Sequence, residues 1–190
     1  VAGLRVPMGG KTGTTDDYFF NDRVNDHYLH NGAWKPIDGW APEVFYNSAI
    51  GFIRERAKDD KPFFLYLPTY LPHNPHTLPN PEWADEYRKK VETKTAFFFA
   101  AIERIDGLIG TLRKALSDEG LDRDTILIFM TDNGATQGVD VFNAGMRGQK
   151  GDVHDGGHRV PFFIRWPGGG LRQGEDIASL NAHIDVLPTL

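Results

Sequence analysis

Residues 126–167, ILIFMTDNGATQGVDVFNAGMRGQKGDVHDGGHRVPFFIRWP, place the pair Asp132-Asn133 directly after one apolar run and a glycine-rich loop ahead of another, 162–166. Asp132 and Asn133 offer a carboxylate and an amide carbonyl, hard oxygen donors that suit Ca²⁺ or Mg²⁺ and suit soft metals poorly. The structural alternative is a hairpin turn, for which Asn-Gly is a strong signal. Against it, nothing strand-like follows Gly134. A Ca²⁺ ion takes about six to eight oxygens, so the remaining ligands must come from elsewhere. Lys150 lies in R-G-Q-K-G, where flanking glycines let the backbone approach a ligand and a buriable ammonium can neutralise an anionic oxygen. Its alternative is a solvated surface lysine. His154 and His158 have the spacing of a helical metal pair, but Gly156 and Gly157 between them disfavour a helix, so no zinc site is expected. Arg147 and Arg159 could each grip an oxyanion or a carboxylate, and structural roles are favoured for both.

Working upstream, the positions Phe98, Ile102, Ile105, Ile109, Leu112 and Leu116 repeat every three or four residues and Gly120 ends the pattern, which predicts a helix. A second amphipathic helix is predicted over 42–56, with Pro42 in its first turn and Phe45, Ala49, Phe52 and Ile53 on one face. Between the two helices, residues 62–68, PFFLYLP, read as a buried strand that empties into a proline-rich loop carrying His73 and His76. His73 could act as a general acid; its alternative is a loop histidine satisfied by local backbone. Strand, helix, strand in this spacing predicts an α/β fold with a mostly parallel sheet flanked by helices. Ligands in such folds bind outside the carboxyl ends of the strands, where His73 and Asp132-Asn133 fall. Residues 1–40 are read as poorly defined loops with short strands, and 42–190 as the motif-bearing α/β region.

Composition narrows the field. A chain of 190 residues with 40% hydrophobic residues can bury a core, and its net charge of −5 with a pI near 5.8 argues against a nucleic-acid or anionic-membrane surface. No apolar run approaches the roughly 20 residues of a membrane span. With no cysteine, thiolate chemistry and disulfides are excluded within these residues.

The succession T-D-N-G, R-G-Q-K-G, H-D-G-G-H-R-V-P and I-R-W-P-G resembles the sulfatases of the alkaline-phosphatase-like superfamily. The upstream P-F-F-L-Y-L-P and P-H-N-P, and the terminal H-I-D-V-L-P-T-L from His183, are similar to further motifs of that family. The resemblance implies a large α/β domain, here incomplete, of which residues 1–190 would be a central and C-terminal portion. It implies sulfuric ester hydrolysis in which a formylglycine, made from Cys or Ser in C/S-x-P-S-R, attacks sulfur with Ca²⁺ assistance. Carried onto this chain, Asp132 and Asn133 become Ca²⁺ ligands, Lys150 contacts sulfate or the leaving oxygen, and His73 is the catalytic histidine. This sequence departs from the family pattern in lacking the nucleophile motif, a paired Asp near the start and a G-K-W-H segment, and in having His154-Asp155 where Tyr-Glu is usual. The formylglycine is therefore expected outside the fragment, the Ca²⁺ site incomplete, and the isolated fragment inactive. A periplasmic or secreted setting is also implied.

Substrates on this reading are aryl or carbohydrate sulfate esters, as small molecules or glycans, with no nucleic acid partner. Two alternatives stand beside it: a phosphodiesterase or phosphonate hydrolase of the same superfamily, and a non-catalytic module that holds sulfated glycans.

Overall fold

The computed structural model describes residues 2–5, as backbone, and 23–190. Most of the expected loop region 1–22 therefore lies outside the described residues. In chain order the elements are β1 (Ala2–Arg5), β2 (His27–His30), β3 (Ala33–Pro36), α1 (Ala41–Arg56), β4 (Phe63–Tyr66), α2 (Asp85–Arg88), α3 (Thr93–Asp118), β5 (Leu127–Met130), α4 (Asp155–His158), β6 (Phe162–Arg165) and α5 (Val186–Thr189). Short 3₁₀ turns occur at Pro81–Ala84, Pro167–Gly169 and His183–Asp185.

The long helices form as their patterns predict. In α1, Phe45, Ala49 and Ile53 are buried together with Tyr46 and Ile50, and Pro42 occupies the first turn, where a missing N–H costs nothing. In α3, Phe98, Ile105, Leu112 and Leu116 are buried, as are Ala96, Ala100, Ala101 and Ala115. Ile102 is the exception to the expected stripe and is exposed, because the small alanines take the face toward α1. Gly120 closes α3 with φ +72°, Gly120 N donates to Ser117 O, and Leu121 N donates to Leu116 O, a Schellman arrangement that only a residue free to adopt positive φ supports cheaply.

The strands depart from the expectation in partner and in burial. β1 and β4 pair in parallel, whereas β5 and β6 pair antiparallel, with Phe129 opposite Phe163 and their rings stacked 6.2 Å apart. Among the described residues the sheets are three two-stranded units, so the expected mostly parallel sheet is represented by a single parallel pair. Local apolar runs specify that a segment is a strand and leave its neighbour and direction open. β4 turns Phe63 and Leu65 toward the helical core and leaves Phe64 (62% exposed) and Tyr66 (59%) on its other face. The run is thus covered on one side only, where full burial was expected.

Within the region read as loops, β2 and β3 form a hairpin. Its two-residue turn is Asn31-Gly32, with φ of +51° and +82° at the two positions, the type I′ geometry that matches strand twist. Two apolar clusters unite these parts: Trp40, Ile50, Ile53, Ala100, Ile105 and Leu112 pack together, with Phe63, Leu65, Leu127 and Phe129 of the strands against them, and Ala41 with Phe45 form a smaller cluster that takes Tyr28 of the hairpin. β4 and β5 therefore lean on a common helical layer, and the loops that leave them carry the candidate site residues His73, Asp132 and Asn133.

Candidate active site

Three glycine-bearing segments after β5 are bonded into one junction. Gly134 N donates to Gly157 O (2.9 Å), Gly156 N to Arg147 O (2.8 Å), and Lys150 N to Ala135 O (3.0 Å). A Cβ on Gly134 would fall inside the van der Waals shell of Gly156 O, one on Gly156 inside that of Gly148 O, and one on Gly157 inside that of Asp152 O. Backbone approaches this close are open only to glycine. The sequence motifs D-N-G, R-G-Q-K-G and H-D-G-G-H are thus one physical object, which fixes Asp132-Asn133 and Lys150 on adjoining backbone.

What the junction presents is chemically available. The Asp132 carboxylate and the Lys150 ammonium have no partner among the described residues, and both residues are exposed. Lys150 is thus exposed, with its main chain held by Ala135 O and its ammonium without a partner among the described residues. Asn133 Nδ2 donates to Gly134 O (3.0 Å), which leaves Oδ1 without a partner among the described residues. Two adjacent unpaired oxygens fit a hard cation in kind but fall short in number of the roughly six to eight that Ca²⁺ takes. No group of three or more His, Cys, Asp or Glu side chains that could hold a metal occurs among the described residues.

His73 stands on the loop that leaves β4. Its Nδ1 lies 2.6 Å from Asn74 O, and since a carbonyl only accepts, Nδ1 carries the proton. Nε2 is left without a partner among the described residues. No bond joins His73 directly to Asp132 or Lys150; the two loops meet instead at the start of α3. His76 packs on Phe98 (5.5 Å between ring centroids), Phe98 on Phe99 (5.8 Å), and a Cβ on Gly138 would lie 2.9 Å from the Phe99 ring. Gln137 Nε2 donates to Thr95 Oγ1 (2.6 Å) and Glu92 Oε1 (3.0 Å), pinning the second loop to the same helix end. Burial lowers the His76 pKa from its ordinary value, disfavouring the charged form of the ring against the phenyl wall.

The remaining candidates settle differently. Residues Asp155–His158 do form one helical turn despite the two glycines, because the junction holds them from outside the turn. His154 is at its N-cap and the His158 ring bonds Val153 O (3.2 Å), so the turn serves packing. Arg159 faces Asp155 at 3.9 Å with both side chains largely exposed, a weak pairing. Arg147 contributes its carbonyl to the junction, and its side chain is exposed.

Two further residues bond to the site segments without having been assigned a role from the sequence. His183 Nε2 donates to Thr131 O (2.8 Å), beside Asp132, bringing the terminal motif onto the end of β5. Arg23 is buried and bonds the carbonyls of His73, Asn74 and Pro75. The His183 motif was visible as a motif without a role; Arg23 sits in no motif and carried no signal. A cavity of about 460 Å³ beside Trp40, Glu43, Glu103 and Arg104 is lined by none of these residues and lies apart from the chemistry.

An α/β chain with these glycine-rich motifs finds its counterparts among the sulfatases. The model of the sulfatase family matches residues 9–190, and the chain belongs to that family. A sulfatase of Formosa agariphila is 30% identical over 178 residues, covering 87% of this chain and 31% of its own length. Human arylsulfatase A is 32% identical over 158 residues, covering 80% of this chain and 29% of its own. The crystal structure of Ps i-CgsB in complex with k-i-k-neocarrahexaose superimposes with a TM-score of 0.67 at 25% identity, over 74% of this chain and 31% of that one. The alkaline-phosphatase-like α/β class expected from the motifs is the fold of these sulfatases, and the chain spans about a third of their length.

Proposed function

We propose that these residues form part of a sulfuric ester hydrolase acting on aryl or carbohydrate sulfate esters. The observation that carries the reading is the glycine junction, which holds a carboxylate, an amide oxygen and an ammonium on adjoining backbone, each without a partner among the described residues. Charged groups carried on a held main chain can meet developing negative charge with little backbone reorganisation when the bond breaks. Asp132 and Asn133 would contribute two oxygens to a Ca²⁺ ion, with further ligands from outside these 190 residues. The ion would supply neutralisation of the sulfuryl oxygens. Lys150 would meet a sulfate oxygen or the leaving oxygen, and His73, doubly protonated with its Nδ1–H kept on Asn74 O, would give the Nε2 proton to the departing alcohol and be left as the neutral Nδ1–H ring. The formylglycine that supplies the attacking oxygen in this family would likewise come from outside these residues, which contain no C/S-x-P-S-R motif.

Carbohydrate sulfates are supported as a substrate class by the neocarrahexaose held in Ps i-CgsB, and aryl sulfates by the name of the human relative. The test is a paired assay of the full-length protein on an aryl sulfate and the matching phosphate ester, with and without Ca²⁺. Sulfate release that needs Ca²⁺ and falls by about 10²-fold or more in Asp132→Ala and in Lys150→Ala is expected, the size seen when a preorganised charge is removed. Preference for the phosphate ester, or full activity in both variants, would overturn the proposal.

A further inference from the structure

The His73 loop is held by a residue far away in sequence. Arg23 is 9% exposed, and its planar fork reaches three consecutive carbonyls: Nη1 donates to His73 O (3.0 Å) and Pro75 O (2.9 Å), and Nη2 to Asn74 O (2.9 Å). Its guanidinium carbon lies 3.9 Å over the Tyr70 ring, at the near end of the same loop. The base of the clamp is rigid in turn. Ala41 N donates to Arg23 O (2.8 Å), Val24 bridges Trp40, and Asn25 N bonds Gly39 O (2.9 Å), so Arg23 is anchored to the start of α1. Trp40 Nε1 then reaches across to Thr77 O (3.2 Å), holding the far end of the loop.

The Asn74 carbonyl is the important acceptor because two donors share it. Arg23 Nη2 and His73 Nδ1 both bond to it, so the position of that oxygen sets which imidazole nitrogen keeps its proton and where the other nitrogen points. In an X-Pro-His-Asn-Pro loop few backbone N–H groups are available to fix the carbonyls, because proline has none. An arginine supplies several donors in one rigid plane, which a lysine does not.

We infer that Arg23 is a positioning residue for His73: by fixing the Asn74 carbonyl it holds the imidazole as the Nδ1–H tautomer with Nε2 open to the substrate. This rests on the proposed role of His73 for its catalytic consequence, but the effect on the ring does not. A group that only stabilised the fold would change melting temperature and leave the tautomer alone. One that aims a proton donor would change kcat more than KM, because misplacement costs most in the transition state.

The experiment compares wild type, Arg23→Gln and Arg23→Lys of the full-length protein in two ways. Long-range ¹H–¹⁵N spectra of the His73 ring at a pH where it is neutral are expected to show the Nδ1–H form in wild type, a mixture of tautomers in Arg23→Gln, and partial recovery in Arg23→Lys. Turnover of an aryl sulfate is expected to lose about 10-fold to 100-fold in kcat in Arg23→Gln with KM within about threefold. A wild-type tautomer in folded Arg23→Gln would overturn the inference, as would a loss confined to KM. Wild-type protein that fails to hydrolyse any sulfate ester would sink the sulfatase reading instead, and the spectra would still decide the role of Arg23. Should Arg23→Gln not fold, Arg23→Lys with a wild-type spectrum and kcat lowered only in step with its folded fraction would equally overturn it.

Discussion

Glycine in this chain does two opposite jobs, and the surroundings of each Cβ position decide which. At Gly134 an added methyl would enter the shell of the Gly156 carbonyl, a backbone atom that cannot swing aside. At Gly110, in the exposed stretch of α3, nothing lies within 4 Å and the backbone is helical. Gly134→Ala is therefore expected to destabilise by about 1–3 kcal/mol through overpacking. Gly110→Ala is expected to stabilise by about 0.5–1 kcal/mol, because alanine loses less backbone entropy on entering a helix. Urea unfolding of the two variants beside wild type checks the pair; equal midpoints would show that the glycine junction is not tightly packed in solution. Side chains at the junction follow a different rule. Asp132 and Lys150 make no described contact, so their removal should cost function without costing stability, whereas Gly134→Ala should cost both. That contrast also marks what the sequence could reveal. The motif letters identified Asp132, Asn133 and Lys150 as site residues because donor type and spacing are local properties. Arg23 reaches its partners across about fifty positions of chain, and no local pattern announces such a contact.

At the scale of elements, helices were legible and pairings were not. The three-to-four-residue repeat of α3 is written in the chain itself, and so is the proline start of α1. Whether β5 lies beside β4 or β6 depends on side chains outside either strand. The β2–β3 hairpin was legible in principle from Asn31-Gly32, but its flanks, H-Y-L-H and A-W-K-P, lack clean alternation and hide the strands. What ties β6 in place is electrostatic as well as apolar. Arg165 at its end makes two bonds to Asp122 (2.6 and 2.9 Å), and Gly168 N donates to Arg123 O (2.7 Å), so β6 is fastened to the turn after α3. The Arg165 guanidinium holds the Asp122 carboxyl below the ordinary carboxylate range. A carboxylate whose pKa falls on folding contributes stability above its unfolded pKa and loses it as pH drops through the folded value. The contribution of this pair is thus present at neutral pH and fades below the ordinary aspartate range. Asp122→Asn should lower stability at pH 7 and narrow its gap to wild type as pH is taken below that range. A gap that stays constant with pH would show that the bidentate pair is not formed in solution.

For the molecule as a whole, the distribution of apolar surface is the feature with consequences. α1 and α3 bury one face of the strands, yet Phe64 and Tyr66 of β4, Phe163 of β6 (64% exposed), and Ile184 (83%) and Leu187 (84%) near the chain end remain open to solvent. Scattered exposed apolar residues are normal, but aromatic residues repeated along strand faces are what a buried interface looks like before it is covered. The related sulfatases are about three times as long as the stretch they share with this chain, which is consistent with surfaces of this kind being interior there. Among the described residues the two-stranded units leave strand edges without a partner strand, and such edges template association when left bare. The 190 residues expressed alone are accordingly expected to bind a hydrophobic dye such as ANS and to elute from a sizing column at a volume that depends on protein concentration. Phe64→Lys combined with Phe163→Lys should weaken both effects, since both side chains are mostly exposed, although the second change also gives up the Phe163 stack on Phe129. The same double change in a longer chain, where those faces are covered, should instead be strongly destabilising, because each ammonium would be buried without a partner. A dye-silent monomer at all concentrations would show that the apolar faces are closed within these residues, and the contrast between the two contexts would then vanish.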